Sequence, residues 1–152
     1  MTEREAIKMK KVAIINGPNL NLLGSREKNI YGEQNFETVL ADLKKYSNQN
    51  NIELEYFQSN SEGDILDRLH SYAGNTDFII MNPGALTHYS YSIHDAILAV
   101  KIPVIEVHIS NIFSREQWRQ KSVISPAAKG VISGLGIQVY KIALIYVAQY
   151  CG

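Results

Sequence analysis

KVAIINGPNLNLLG, residues 11–24, places an apolar run directly before a segment of turn-forming and polar residues. The apolar run at 11–15 is rich in Val and Ile, which is typical of a strand buried on both faces of a parallel sheet. Gly17, Pro18 and Gly24 follow it, and such residues interrupt regular structure and form loops. The stretch therefore predicts a buried strand whose carboxyl end carries a polar loop.

The same pattern recurs along the chain. Further apolar runs bounded by turn residues predict four more strands, at 52–58, 77–81, 103–109 and 130–133. Apolar residues at helical spacing predict helices within 36–46, 65–72, 93–100 and from Gly136 to about Tyr150. Alternating strands and helices predict a doubly wound α/β domain of three layers, α/β/α, over residues 11–152, with 1–10 as a loose tail. Five parallel strands favour the flavodoxin-like order 2-1-3-4-5.

Composition narrows the class of function. Fifteen basic residues balance fifteen acidic ones in 152, so no net field attracts nucleic acid or an anionic membrane. The single cysteine, Cys151, forms no disulfide within the chain, and the polar start is unlike a signal peptide. No apolar run approaches the roughly 18 residues of a membrane span. These features predict a cytoplasmic enzyme or binding protein for a small molecule.

Polar side chains follow three of the predicted strands. Asn19 lies after the first strand, Asn82 and His88 after the third, and Glu106 and His108 at the end of the fourth. In the 2-1-3-4-5 order these strands are adjacent, and open α/β sheets bind ligands outside the carboxyl ends of their strands. The side chains are therefore expected to meet in one crevice.

Several other kinds of site are disfavoured. The glycines of the first loop match neither a P-loop nor a dinucleotide fingerprint. The first and third strands end in asparagine rather than in the acidic residues of a phosphoacceptor site. Glu106 and His108 are two candidate ligands on one face of a strand, and two are too few to predict a metal site.

Two pairs of residues indicate proton transfer. The carboxylate of Glu106 could orient the imidazole of His108 and favour its acid form, because residues at i and i+2 of a strand face the same way. In the first loop, Arg26 lies five residues before Tyr31, where a guanidinium could stabilise a phenolate base. The alternative for Tyr31 is a structural role that holds the loop against the core.

Four motifs together resemble type II 3-dehydroquinate dehydratase, the type II dehydroquinase family. They are GPNLNLLG with Arg26 and Tyr31, NPGALTH at 82–88, EVHISNIFSRE at 106–116 with Arg119, and KGVISGLG at 129–136. The resemblance covers about residues 10–150. It implies a flavodoxin-like fold, a homododecamer built as a tetramer of trimers, and no cofactor or metal.

The implied reaction is an anti elimination of water from 3-dehydroquinate, through an enol or enolate, to give 3-dehydroshikimate. By resemblance, Tyr31 activated by Arg26 is the base, Asn19 holds a water against the oxyanion, and His108 oriented by Glu106 is the acid. The implied substrate-binding residues are Asn82, His88, Asp95, Ile109, Ser110 and Arg119, with Arg115 a weaker candidate.

Within these implied roles, Asp95 reaches the site of a neighbouring subunit, and the loop carrying Arg26 and Tyr31 acts as a lid. The implied pathway is the shikimate route of aromatic amino acid biosynthesis, although quinate breakdown uses the same reaction. Two other functions stay open at this point. One is a small-molecule binder of the same fold without catalysis, and the other is an assembly whose role is structural.

Overall fold

The computed structural model describes residues 8–24 and 35–150. They form five strands, which are β1 (Lys10–Asn16), β2 (Ile52–Gln58), β3 (Phe78–Asn82), β4 (Val104–His108) and β5 (Gly130–Ser133). Four α-helices alternate with these strands, namely α1 (Phe36–Gln49), α2 (Glu62–Tyr72), α3 (Tyr91–Val100) and α4 (Val139–Tyr150).

The strands form one sheet in the order β2-β1-β3-β4-β5. All four neighbouring pairs are parallel. This confirms the predicted flavodoxin-like fold. The order reverses between β1 and β3, so the crevice at which such sheets bind ligands lies at the carboxyl ends of these central strands.

Successive residues of the central strands supply two different apolar layers. In β1, Val12 and Ile14 join the layer that α1 and α4 complete, whereas Ala13 and Ile15 join the layer beneath α2 and α3. Side chains alternate across a strand, so a central strand covered by helices on both faces must be apolar at every position. The sheet is therefore the middle of three layers.

Polar side chains begin three of the four helices. The side chains of Asn35, Ser61 and Ser90 accept hydrogen bonds from the backbone N–H groups of Thr38, Asp64 and Ile93. Each cap satisfies a donor that has no partner within the helix, which stabilises the helix by about 1 kcal/mol.

The strand boundaries differ from the sequence prediction by one residue in places. β4 begins at Val104 rather than at 103, because Pro103 has no N–H to donate. It ends at His108, and the chain bends away at Ile109 and Ser110. The segment Gly84–His88 forms a short 3-10 helix. In the described residues, no helix has the length and apolar character that crossing a membrane requires.

Candidate active site

A cleft of about 170 Å³ opens at the carboxyl ends of β1, β3 and β4. Its wall contains residues from all three strand ends that the sequence singled out, together with two arginines from the segment after β4. They include Asn19, Asn82, His88, His108, Ile109, Ser110, Arg115 and Arg119. The predicted residues after β1, β3 and β4 therefore meet in one cleft, as expected.

Two glycines let the loops after β1 and β3 cross at the floor of the cleft. A Cβ atom on Gly17 would lie 2.3 Å from the carbonyl oxygen of Pro83, a distance that no side chain tolerates. Gly84 has a φ of 61°, and a Cβ there would lie 3.0 Å from the carbonyl oxygen of Pro18. These close approaches require glycine. They hold the two loops in fixed register, and so they fix where Asn19 and His88 stand.

His108 lines the cleft and is paired with Glu106, which does not line it. His108 Nε2 lies 2.5 Å from Glu106 Oε2. Glu106 is fully buried, and His108 is 5% exposed. Burial raises the pKa of Glu106, but the hydrogen bond and charge of His108 and the neighbouring serine hydroxyls outweigh burial and hold that pKa below its ordinary value of 4.5. Glu106 is therefore an ionised acceptor, and His108 Nε2 carries a proton.

Ser122 and Ser125 complete the environment of this carboxylate. Their hydroxyls donate to Glu106 Oε1 at 3.0 and 2.9 Å. Sequence reasoning missed both serines, which lie 16 and 19 residues beyond Glu106. They belong to an irregular segment with no periodicity, and only the tertiary fold brings that segment against β4.

His88 is held at the cleft wall by the same segment. Its Nδ1 lies 2.8 Å from the carbonyl oxygen of Lys121. A carbonyl only accepts, so Nδ1 is the donor. Burial lowers the pKa of His88, the Lys121 carbonyl opposes that, and the charges of His108 and Arg119 lower the pKa further, with a net decrease. The imidazole is neutral, and Nε2 is left as a hydrogen-bond acceptor.

Asn82 is oriented by contacts at both ends of its amide. Its Oδ1 accepts from the N–H of Gly84 at 3.2 Å, and its Nδ2 donates to the hydroxyl of Tyr140 at 3.0 Å. That hydroxyl in turn donates to Asn16 Oδ1 at 2.7 Å. Both asparagines and Tyr140 are buried. The network assigns the amide orientation of Asn82, since a flipped amide would put two donors or two acceptors face to face.

The wall also contains Asn19 and two arginines, beside apolar residues from the same loops. Asn19 has a left-handed backbone with a φ of 69°, and its N–H donates to Asn60 Oδ1 at 3.0 Å. Arg115 donates to the hydroxyl of Ser110 at 3.3 Å. Arg119 pairs with Glu116, and its guanidinium lies 4.0 Å from the centre of the Trp118 ring. Such a wall suits an anionic ligand that carries hydroxyl groups.

Comparison with known proteins identifies the family. A family model described as dehydroquinase class II matches residues 10–148. The chain belongs to this family. A relative named 3-dehydroquinate dehydratase, from Caldicellulosiruptor bescii, is 61% identical over 137 residues, which are 90% of this chain and 94% of the relative. Relatives with that name make the family one of hydro-lyases, so the chain is an enzyme.

Solved structures of type II dehydroquinases share the fold. The enzyme from Butyrivibrio crossotus aligns with a TM-score of 0.89 at 48% identity, over 91% of this chain and 97% of that one. The enzyme from Propionibacterium acnes aligns with a TM-score of 0.88 at 38% identity, over 94% of this chain and 99% of that one. The five-stranded parallel sheet is thus the type II dehydroquinase fold.

Two predicted site residues that the structure describes, Glu106 and Asp95, do not line the cleft of this single chain. Arg26 and Tyr31 lie outside the described residues, between Gly24 and Asn35. Asp95 is exposed on α3 and is not among the residues that line the cleft. In residues 8–24 and 35–150, no group of three or more His, Cys, Asp or Glu side chains is arranged to hold a metal ion.

Proposed function

We propose that this dehydroquinase removes water from 3-dehydroquinate by an anti elimination through an enolate, with Tyr31 as base and His108 as acid. Family membership supports the dehydratase activity. The observation that carries the mechanism is the buried pair of Glu106 and His108, of which His108 lines the cleft. A histidine held by a carboxylate at a ligand site is equipped for proton transfer.

The acid step follows from which nitrogen of His108 is occupied. Nε2 is bonded to Glu106, so Nδ1 is the atom left to protonate the substrate. The imidazolium gives that proton to the C1 hydroxyl, the C1–O bond breaks, and water leaves. Ionised Glu106 stabilises the imidazolium before the transfer and keeps the ring in place during it.

The base step is assigned to Tyr31. Its phenolate takes a proton from C2, which is acidic because C2 adjoins the C3 ketone, and the electrons pass to the ketone oxygen. Phenolate near neutral pH requires a pKa below the usual value of about 10, and the guanidinium of Arg26 supplies the nearby positive charge that lowers it. The wall residue Leu23 leads directly into the segment that carries both residues.

The other wall residues are assigned to binding. Asn19 holds a water against the developing oxyanion, a preorganised contact that strengthens as charge develops. Ser110, the backbone at Ile109, and Asn82 bind the carboxylate. The neutral Nε2 of His88 accepts from a ring hydroxyl, and Arg119 donates to another. This division agrees with the donors and acceptors that each side chain has left in the cleft.

We further propose a cytoplasmic homododecamer, a tetramer of trimers, that serves aromatic amino acid biosynthesis. One face of α3 supports a subunit contact. Tyr91, Asp95 and Leu98 are exposed there at positions i, i+4 and i+7, and Tyr91 and Leu98 are 65% and 56% exposed. Large apolar side chains on one helical face are typical of an interface. Asp95 between them would then reach the site of a neighbouring subunit.

Turnover of 3-dehydroquinate, followed by the ultraviolet absorbance of the enone product, tests the function. Wild type should turn over, and His108→Ala should lower kcat by at least ~10²-fold, the low end for a general acid. His70→Ala, which changes an exposed histidine on α2, should behave as wild type. A wild-type protein without turnover would refute the assignment.

Stereochemistry is tested with substrate that carries deuterium at one C2 position. In an anti elimination, the label that is trans to the C1 hydroxyl passes to solvent, and the label that is cis to it stays in the product. Retention of the trans label would overturn the anti mechanism while leaving the dehydratase activity in place.

A further inference from the structure

The carboxylate of Glu106 is enclosed on both oxygens. Oε2 faces His108, while Oε1 accepts the hydroxyls of Ser122 and Ser125. Glu106 lies on the face of β4 that, at Val104, joins the apolar layer beneath α2 and α3. A charge buried at such a position is costly unless every lone pair finds a donor. The two serine hydroxyls therefore stabilise the ionised form of the buried carboxylate.

One proton between Glu106 and His108 can occupy two places. It can make His108 an imidazolium beside an ionised carboxylate, or it can sit on Glu106 beside a neutral imidazole. In the second arrangement Nε2 accepts from the carboxylic acid, and the proton on Nδ1 belongs to a neutral imidazole, which is too weak an acid to give it to a leaving group. Hydroxyl groups that donate to a carboxylate favour its ionised form, and so they favour the first arrangement.

We propose that Ser122 and Ser125 are positioning residues that keep the shared proton on His108 Nε2 and off Glu106, so that His108 is an imidazolium whose Nδ1 can give its proton to the substrate. This inference rests on the proposed function, because it assigns how the acid of that reaction stays charged. Neither serine touches the substrate in this role. They act through the carboxylate.

The orientation of the Ser122 hydroxyl is set by its hydrogen bonds to neighbouring groups. Ser122 has one hydroxyl hydrogen, and it is donated to Glu106. The contact of 2.9 Å between the hydroxyls of Ser122 and Thr87 must then use the hydrogen of Thr87. Ser122 also accepts from the N–H groups of Ile124 and Ser125, both at 3.1 Å. The hydroxyl thus has no freedom to turn away from the carboxylate.

Ser125 is the cleaner residue to change. Its hydroxyl is bonded to Glu106 alone among the described residues, whereas Ser122 also supports the backbone of its own loop. Ser125→Ala therefore removes one bond to the carboxylate and leaves the loop intact. Ser122→Ala should cost more stability as well as activity.

The pH profile of Ser125→Ala has a distinctive expected shape. Loss of the hydroxyl destabilises the two states in which Glu106 is ionised, one with charged and one with neutral His108. It does not affect the state in which Glu106 holds the proton. At neutral pH, kcat/KM should fall by at most about tenfold, the worth of one hydrogen bond to a charged group, because activity is lost only as the proton moves onto Glu106. The apparent pKa of the basic limb should rise by the logarithm of the same factor, at most about one unit, because the pair now holds its last proton more tightly.

The two profiles should therefore converge at high pH. There the activity follows the ratio of charged to neutral His108 beside ionised Glu106, and the substitution changes both of those states equally. Damage to structure alone would lower activity by the same factor at every pH. The other titratable groups of the described cleft wall, His88, Arg115 and Arg119, are unchanged in the variant, as are Arg26 and Tyr31.

Three controls accompany the measurement. Ser47→Ala removes a buried hydroxyl that donates to the Leu43 carbonyl at 2.8 Å on α1, and it should not change the pH profile. Ser125→Thr keeps the hydroxyl and should restore most of the activity. In a Glu106→Gln background the side chain cannot take up a proton, so Ser125→Ala should have little further effect.

The outcomes separate two failures. If wild type turns over and Ser125→Ala lowers activity equally at all pH values, or by the same factor in the Glu106→Gln background, then the serine assignment is wrong and the proposed function stands. If wild type itself shows no turnover, the proposed function fails first.

Discussion

Tyr140→Phe isolates the buried network that orients Asn82. The hydroxyl of Tyr140 donates to Asn16 Oδ1 at 2.7 Å and accepts from Asn82 Nδ2 at 3.0 Å. Tyr140 and Asn16 are fully buried, and Asn82 is 3% exposed. Removal of the hydroxyl leaves an acceptor and a donor without this partner in a place that bulk water does not reach.

The loss of stability follows from the two polar groups, Asn82 Nδ2 and Asn16 Oδ1, that lose their hydrogen-bond partner. Each buried polar group that loses its partner destabilises the fold by about 1–3 kcal/mol, so the two together should cost about 2–6 kcal/mol. For a chain of this size, 1 kcal/mol lowers the melting temperature by about 2–4 °C, which gives an expected decrease of roughly 4–24 °C. KM should rise several-fold as well, because the Asn82 amide is then held only through Gly84.

Thermal unfolding at a fixed protein concentration measures the first effect, since any self-association makes the melting temperature depend on concentration. Steady-state kinetics measure the second. Tyr146→Phe on the same helix is the matched control, because the Tyr146 ring packs against Phe78 and Tyr150 while its hydroxyl has no hydrogen bond within the described residues. If Tyr140→Phe melts with wild type and keeps its KM, the network does not position Asn82.

Four further predictions test the remaining assignments. Tyr31→Phe should keep the fold but lower kcat by at least ~10²-fold, and a variant within tenfold of wild type would remove Tyr31 as base. Asp95→Ala should raise KM and weaken the trimer, as seen by kinetics and sedimentation, and an unchanged KM would argue against a shared site. The pKa of Glu106 is lower in the folded chain than in the unfolded chain, so ionised Glu106 stabilises the fold at pH values above the unfolded-state pKa, and this contribution is lost as the pH falls through the folded-state pKa. Glu106→Gln should therefore reduce the decrease in melting temperature at acid pH. A variant whose melting temperature decreases as steeply as that of wild type would contradict this. No lysine of the described residues lines the cleft, so borohydride added with substrate should leave activity intact, whereas inactivation with a mass gain on one lysine would reveal a Schiff base instead of an enolate.

The sheet and the ends of its strands were predictable because periodicity and strand topology are local and general properties. Apolar runs such as 11–15 show where a strand lies, and the 2-1-3-4-5 order then places the polar residues after β1, β3 and β4 at one edge. The contact between Glu106 and His108 was predictable for the same reason. Alternation along one strand puts positions i and i+2 on one face.

Some boundaries escaped prediction because the backbone there depends on partners distant in sequence. The 3-10 helix at Gly84–His88 follows from the crossing of two loops, in which Gly17 lies against Pro83 and Gly84 against Pro18. Neither segment alone indicates that it contacts the other. The sequence contains Gly17-Pro18 and Pro83-Gly84, and the structure shows that each glycine leaves room for the backbone of the other segment.

The partners of the Glu106 carboxylate escaped prediction for a related reason. A buried carboxylate requires hydrogen-bond donors, so the position of Glu106 in an apolar run predicts that donors exist without saying where they are. The fold supplies them from the segment that also bonds His88 through the carbonyl of Lys121. One segment thus supports both His88 and the pair of Glu106 and His108. A substitution in that segment should therefore affect KM or kcat according to which of its bonds is lost, although none of these bonds touches the substrate.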